Sequence, residues 1–159
     1  MGFDPTGEKF KKYYPGHITL FTDFFSAETF KKKFGNKKAK VITSIAMFYD
    51  LEKPLEFVRD VYDILSEDGI WVLEQSYMPL MLEVNAFDTI CHEHLEYYRL
   101  KQIQWMMKKV GFKIIDIEFN QVNGGSFSIT AAKLDSSLPE TPDVARLLAD
   151  EESKGLSTN

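Results

Sequence analysis

Two of the chain's three histidines and its only cysteine fall within one stretch, "FDTICHEHLEYY", residues 87–98. Cys91, His92, Glu93 and His94 place a thiol, two imidazoles and a carboxylate in consecutive positions. Such a set could hold a metal, act as an acid/base centre, or be a polar loop with no chemistry. As a metal site it offers Cys91, His92 and His94, and in an extended segment the two histidines share a face. Structural zinc takes four ligands, however, and His17 is far away in the chain. The spacing also lacks the HExxH pattern that sets two histidines on one helical face. No metal is therefore expected. The acid/base reading suits imidazole, whose unperturbed pKa of about 6.5 lies near neutral pH.

These residues need elements to position them. Gly2–Phe3 is a short apolar stub before Asp4–Pro5, and a helical stretch follows. "HITLFTDFF" (17–25) is rich in β-branched and aromatic residues and predicts a strand after the Pro15–Gly16 turn. Ser26 is placed to cap a helix whose Phe30 and Phe34 lie four apart. "AKVITSIAMF" (39–48) is nearly continuous in apolar residues, as in a strand buried on both faces. Pro54 opens a helix that should stop near Ser66–Gly69. "GIWVLEQ" (69–75) predicts another strand, and a long mixed segment runs from Ser76 to about Arg99. A helix over 100–110 should end at Gly111. "FKIIDIEFN" and "GSFSITAAK" then form a hairpin. Residues 136–159 read as a polar linker and a short helical tail over 143–150. The alternation predicts an α/β fold: a Rossmann-like, doubly wound, mostly parallel sheet closed by a C-terminal antiparallel hairpin. Ligands of such sheets bind beyond the carboxyl ends of the strands. Asp4, Asp23, Met47–Asp50 and Glu74–Ser76 all lie just past predicted strands.

The bulk numbers narrow the setting. A length of 159 residues, 44% hydrophobic and 27% charged, suits one soluble domain. A net charge of −5 argues against phosphate-backbone binding, so no nucleic-acid partner is expected. The lysines of "KKKFGNKKAK" (31–40) read as a solvated helix face and loop. A single cysteine allows no internal disulfide. No apolar run is long enough to span a membrane, and the start lacks a signal-peptide core. These features point to the cytoplasm. No oligomeric state follows from them.

The segments "GFDP", "DFFS", "ITSIAMFYDLEKPLEFV", "DGIWVLEQ", "FDTICHEHLEYY" and "VNGGSF" together resemble the class I S-adenosylmethionine-dependent methyltransferases. More narrowly they resemble the C-methyltransferases that act on nucleotide-linked deoxysugars, over residues 1–135. The resemblance implies S-adenosylmethionine as cofactor and a small, sugar-linked acceptor. It implies Asp4 on the ribose hydroxyls, Asp23 on the adenine amino group and Phe24 packed on the adenine ring. Met47, with the residues up to Asp50, would face the methionine end. His94 would be the general base, with Glu93 as its polar partner and His92 in the same catalytic segment. Tyr97, Asn123, Gly124 and Gly125 fall on the acceptor side, where the glycine pair lets backbone approach a ligand closely.

The chain departs from these relatives at two site positions. They commonly have tyrosine where Cys91 stands, and histidine where Met47 and Phe48 stand. Tyr49, Tyr77, Tyr97 and Tyr98 are all available as replacements. Relatives also carry a first strand with a glycine-rich turn, a cysteine-rich zinc module before the fold and a second α/β domain after it. None of these is found in the sequence, so a partial domain is expected. Without that first strand its neighbours would be left separated or wrongly paired, with edges to cover. The alternative reading is an inactive methyltransferase-like module, or one that binds a nucleotide sugar without methyl transfer.

Overall fold

The computed structural model describes residues 1–156, which fall into two compact units, Met1–Lys37 and the chain from Lys38 onward. The strands form two sheets, one of two strands and one of four.

In the first unit, β1 (Gly2–Phe3) pairs in parallel with β2 (Leu20–Phe21). The short helix α1 (Gly7–Phe10) lies between them in sequence, and α2 (Ala27–Phe34) follows. Aromatic packing holds this unit together. Phe3 stacks on Phe21 at 4.7 Å and meets Phe25 edge-on at 5.3 Å. Phe34 packs on Phe21 and Phe30 at 6.2 and 5.0 Å. Ser26 caps α2 as expected, its Oγ accepting from the Thr29 amide at 3.1 Å. The strand expected over 17–25 shrinks to two residues. Its partner offers no more, because Asp4 bends back and Pro5 has no amide to donate.

In the second unit the sheet order is β3-β4-β6-β5. Strand β3 (Ala39–Ile45) runs parallel to β4 (Leu65–Ser76). Strands β5 (Phe112–Asn120) and β6 (Ser126–Lys133) form the expected hairpin, and β6 joins β4 antiparallel. Helix α3 (Pro54–Ile64) buries Val58, Val61 and Ile64. It stops sooner than expected, because Leu65 is already paired with Ala39. The residues Ser66–Gly69, where the helix was expected to stop, form an irregularity in the pairing, which resumes at Val41↔Ile70. Helix α5 (Leu100–Val110) buries Leu100, Ile103, Met106 and Met107 and ends at left-handed Gly111, as predicted. The core centres on Trp71, which packs on Phe112 at 5.7 Å and donates from Nε1 to Ser44 Oγ at 3.0 Å.

One helix of this unit was not foreseen, and the helical tail expected over 143–150 is longer than expected. The stretch read as a long mixed segment contains α4 (Met78–Val84), which has Pro79 in its first turn and is followed by left-handed Asn85. The segment read as linker and tail carries α6 (Pro142–Ser153), three turns long, with Val144 and Glu151 buried. Glu151 Oε1 accepts from the Leu100 amide at 2.6 Å and from the Tyr77 hydroxyl at 2.9 Å. Its Oε2 accepts from the Lys101 amide at 3.2 Å. A carboxylate from α6 thus caps the N-terminus of α5, where exposed amides and the helix dipole favour negative charge.

The glycine pair between β5 and β6 has a structural task. Gly125 has φ +122, and a side chain there would stand 2.7 Å from Leu80 Cβ on α4. Gly124, at φ +76, would meet Ala86 at the same distance. The close approach foreseen for a ligand is in fact made by the protein itself. Gly125→Ala is expected to cost about 2–4 kcal/mol through strain and overlap. This would be read as a lower denaturant midpoint for the Trp71 fluorescence transition. A loss under about 1 kcal/mol would mean that α4 yields freely.

Candidate functional site

In the second unit the parallel strands β3 and β4 end at Ile45 and Ser76, and their ends are tied by the Ala46 amide donating to the Glu74 carbonyl at 2.9 Å. The backbone then breaks sharply. Ala46 takes φ +51, a conformation a non-glycine residue adopts only under constraint, and Met47 lies at φ −148, ψ −17. A single 3-10 turn over Phe48–Asp50 follows. Phe48 anchors it, fully buried and packed on Tyr98 at 5.5 Å and Trp71 at 6.1 Å. Tyr49 is buried beside it.

The histidine segment hangs on this turn. The Tyr49 carbonyl accepts from the Leu95 amide at 3.0 Å and the Glu96 amide at 3.2 Å. The Tyr49 ring lies 4.3 Å from the His94 ring between centroids. Tyr97 approaches His94 edge-on at 6.4 Å, and its hydroxyl donates to the Thr89 carbonyl at 3.5 Å. His94 is therefore half-buried between two tyrosines. His92 is not held in this way. Its side chain is 91% exposed, with Glu93 Oε1 at 3.9 Å from Nε2. Glu93 and Cys91 also face solvent. Of the catalytic set read from sequence, only His94 has an oriented ring. No group of three or more histidine, cysteine, aspartate or glutamate side chains among the described residues is arranged to hold a metal ion.

Charge around His94 comes from Asp50 and Glu93. Partial burial raises the Asp50 carboxyl above its ordinary value, opposed by attraction to His94 and reinforced by repulsion from Glu93. Burial likewise raises the Tyr49 hydroxyl, with smaller contributions from Asp50 and Cys91. The end of β4 adds polar groups: Gln75 and Ser76 are buried, and their side chains have no hydrogen-bond partner among the described residues. Beside Tyr97 runs an apolar groove of about 310 Å³, lined by Met78, Met81, Leu82, Phe87 and Ile90. Asn123 is exposed in the β5–β6 turn at φ +53.

In the first unit, Asp4 follows β1 directly and Asp23 lies two residues past the end of β2. Asp4 already has partners. Its Oδ2 accepts from the Tyr14 hydroxyl at 2.6 Å, and its Oδ1 accepts from the Thr6 amide and hydroxyl at 2.8 and 2.7 Å. The Tyr14 bond, then those from Thr6, hold its carboxyl below the ordinary value. Its contribution to stability is thus present above the unfolded pKa and is lost as pH falls through the folded one. Asp23 is exposed, with Oδ1 accepting from the Phe24 amide at 2.8 Å. The Phe24 ring is 73% exposed, so it is not core filler and presents an open face.

Sequence reading left the choice among four tyrosines open. Only the fold singles out Tyr49, because no local spacing brings residue 49 to residue 94. Glu151 was missed, although it lies on the same helical face as Val144, seven residues earlier. A charge on an apolar stripe was the available signal.

The chain matches the methyltransferase domain family over residues 2–117. It is 33% identical over 102 residues to the C-methyltransferase NovU of Streptomyces niveus, a match covering 64% of this chain and 24% of NovU. The chain thus spans about a quarter of that relative's length. A SAM-dependent methyltransferase from Archaeoglobus fulgidus superposes with a TM-score of 0.61 at 16% identity, over 83% of this chain and 75% of that one. The plantazolicin methyltransferase BpumL, solved with a pentazolic desmethylPZN analog and SAH, gives 0.59 at 12%, over 83% and 66%. These likenesses show the fold, a Rossmann-like α/β architecture. The chain belongs to the methyltransferase domain family, in the S-adenosylmethionine-dependent class that its motifs resemble. No helix among the described residues is long and apolar enough to cross a membrane.

Proposed function

We propose that the chain binds S-adenosylmethionine and serves transfer of its methyl group to a carbon of a small, sugar-linked acceptor, with His94 as general base. The observation that carries the proposal is the orientation of His94 by Tyr49 and Tyr97, just past the carboxyl ends of β3 and β4. The likeness to NovU, a C-methyltransferase, supports the reaction type. The sugar follows from the motif resemblance.

Each unit, taken by itself, offers groups suited to part of the cofactor. Asp23 is exposed, and the only bond to its carboxylate described is that from the Phe24 amide to Oδ1. Phe24 offers an exposed ring face on which an adenine can pack. Asp4 fits a diol once Tyr14 gives way at Oδ2. The strained Ala46–Met47 backbone opens the end of β3, and Gln75 and Ser76 add polar groups lacking partners. When bound, the cofactor supplies an electrophilic methyl group on sulfur. His94 takes the proton from the carbon beside the acceptor carbonyl, and the electron pair left on that carbon becomes the nucleophile. Tyr49 and Tyr97 keep the imidazole aimed. Glu93 reaches solvent beside it and can hold an acceptor hydroxyl.

Calorimetric titration with S-adenosylhomocysteine tests the reading. Asp23→Ala and Asp4→Ala are each expected to weaken binding about tenfold or more, the worth of a hydrogen bond to a charged group. A folded wild-type chain that ignores S-adenosylhomocysteine counts against the cofactor. Binding of a nucleotide sugar in that same case turns the reading to a binding module.

A further inference from the structure

We propose that Tyr49 is the positioning residue of His94. Its ring fixes one face of the imidazole, and its backbone carbonyl pins the loop that carries it. The proposal rests on His94 being the base; the contacts themselves do not. Three contacts converge on this one residue: the ring pair at 4.3 Å and the amides of Leu95 and Glu96 at 3.0 and 3.2 Å. Tyr49 is only 7% exposed, and Phe48 ahead of it is fully buried, so the support is stiff. The Leu95 and Glu96 bonds are to backbone, so any residue at position 49 keeps them. The ring is what substitution removes.

The platform serves a base in two ways. An aromatic face attracts a cation, so it favours the imidazolium that proton abstraction creates. A fixed ring also keeps its nitrogen within reach of the acceptor proton, where an error of about 1 Å costs on the order of 10²-fold. The charged groups facing His94 are Asp50, on the same turn, and Glu93, on its own loop. Both are carboxylates. The arrangement also links two parts of the site. The turn that bears Tyr49 is the one read as facing the methionine end of the cofactor. Movement there passes to His94 through a single residue.

Solution NMR of the ligand-free chain with labelled histidine decides the matter. Contacts between the Tyr49 ring protons and the His94 ring protons are expected in the wild type. Tyr49→Phe should keep them, together with the ring-current displacement of the His94 signals. Tyr49→Leu should abolish the displacement while Trp71 fluorescence reports an intact core. If Tyr49→Leu fails to fold, the wild-type contacts and the phenylalanine variant still decide. Absence of those contacts in the folded wild type, or His94 signals unmoved in Tyr49→Leu, overturns the proposal. In a methyl-transfer assay, Tyr49→Leu should lower kcat about 10- to 100-fold with little change in KM for the acceptor, and Tyr49→Phe should restore it. A proportionate rise in KM with kcat intact would mean substrate contact and overturn the positioning role. Failure of the base assignment has its own signature: full activity of His94→Gln, while the wild-type chain still shows the Tyr49–His94 ring contacts.

Discussion

Replacing His94 with glutamine is expected to slow methyl transfer about 10²–10⁴-fold, the usual contribution of a positioned general base. Glutamine retains size and polarity but cannot take up a proton near neutral pH. The loss should fall on kcat, because a general base acts at the reacting carbon and contributes little to holding the rest of the acceptor. His92→Gln provides the contrast. Its side chain is 91% exposed and meets only Glu93 at 3.9 Å, so its replacement should cost less than about tenfold. Transfer of labelled methyl from S-adenosylmethionine to the acceptor measures both. A His94→Gln chain that folds and retains more than a tenth of the rate removes His94 from the role. Equal losses at both histidines would instead mark the segment as structural.

The largest effect on stability is expected at Glu151. Its carboxylate is 1% exposed and accepts three hydrogen bonds, from Tyr77, Leu100 and Lys101. Glu151→Ala strands all three donors, two of them the first amides of α5. The cost should be about 3–5 kcal/mol to the second unit. Tyr77→Phe removes one donor and leaves the carboxylate its two amides, so about 1–2 kcal/mol is expected. Burial, and then the bond to Glu151, push the Tyr77 hydroxyl far above the usual phenol range, so it stays protonated and donating at any working pH. Denaturant unfolding followed by Trp71 fluorescence reads both variants. The exposed Trp105 gives a nearly constant background. A midpoint for Glu151→Ala within about 1 kcal/mol of wild type would show that water replaces the carboxylate without penalty, and that α6 is a loosely attached tail.

Much of this was legible in advance where the signal is local. A β-branched apolar run gave β3 as a strand, but not its expected burial on both faces, since it lies at an edge of the sheet with Val41 and Ile45 exposed; the glycine after "WMMKKV" gave the end of α5, because left-handed glycine acts within a few residues. Ser26 showed its cap for the same reason. Reading failed where pairing decides. Strand β2 is two residues long because β1 offers two, and β4 begins at Leu65 because Ala39 is there to meet it. The glycine pair was legible as a close approach, but not what approaches: Leu80 and Ala86 fill the space assigned to a ligand.

The sequence by itself determined the kind of chemistry on offer. It put an imidazole beside a carboxylate in one loop, carboxylates after the first two strands, and an α/β alternation whose strand ends collect ligands. Residue type and short-range spacing carry that information. The tertiary structure alone decided which groups can act. It packed His94 against a tyrosine 45 positions earlier in the chain and left His92 in water. It also buried Glu151 under a helix to which it does not belong. Such pairings arise when distant segments share one desolvated core. Their energies come from burial and orientation, and neither is a property of neighbouring letters in a chain.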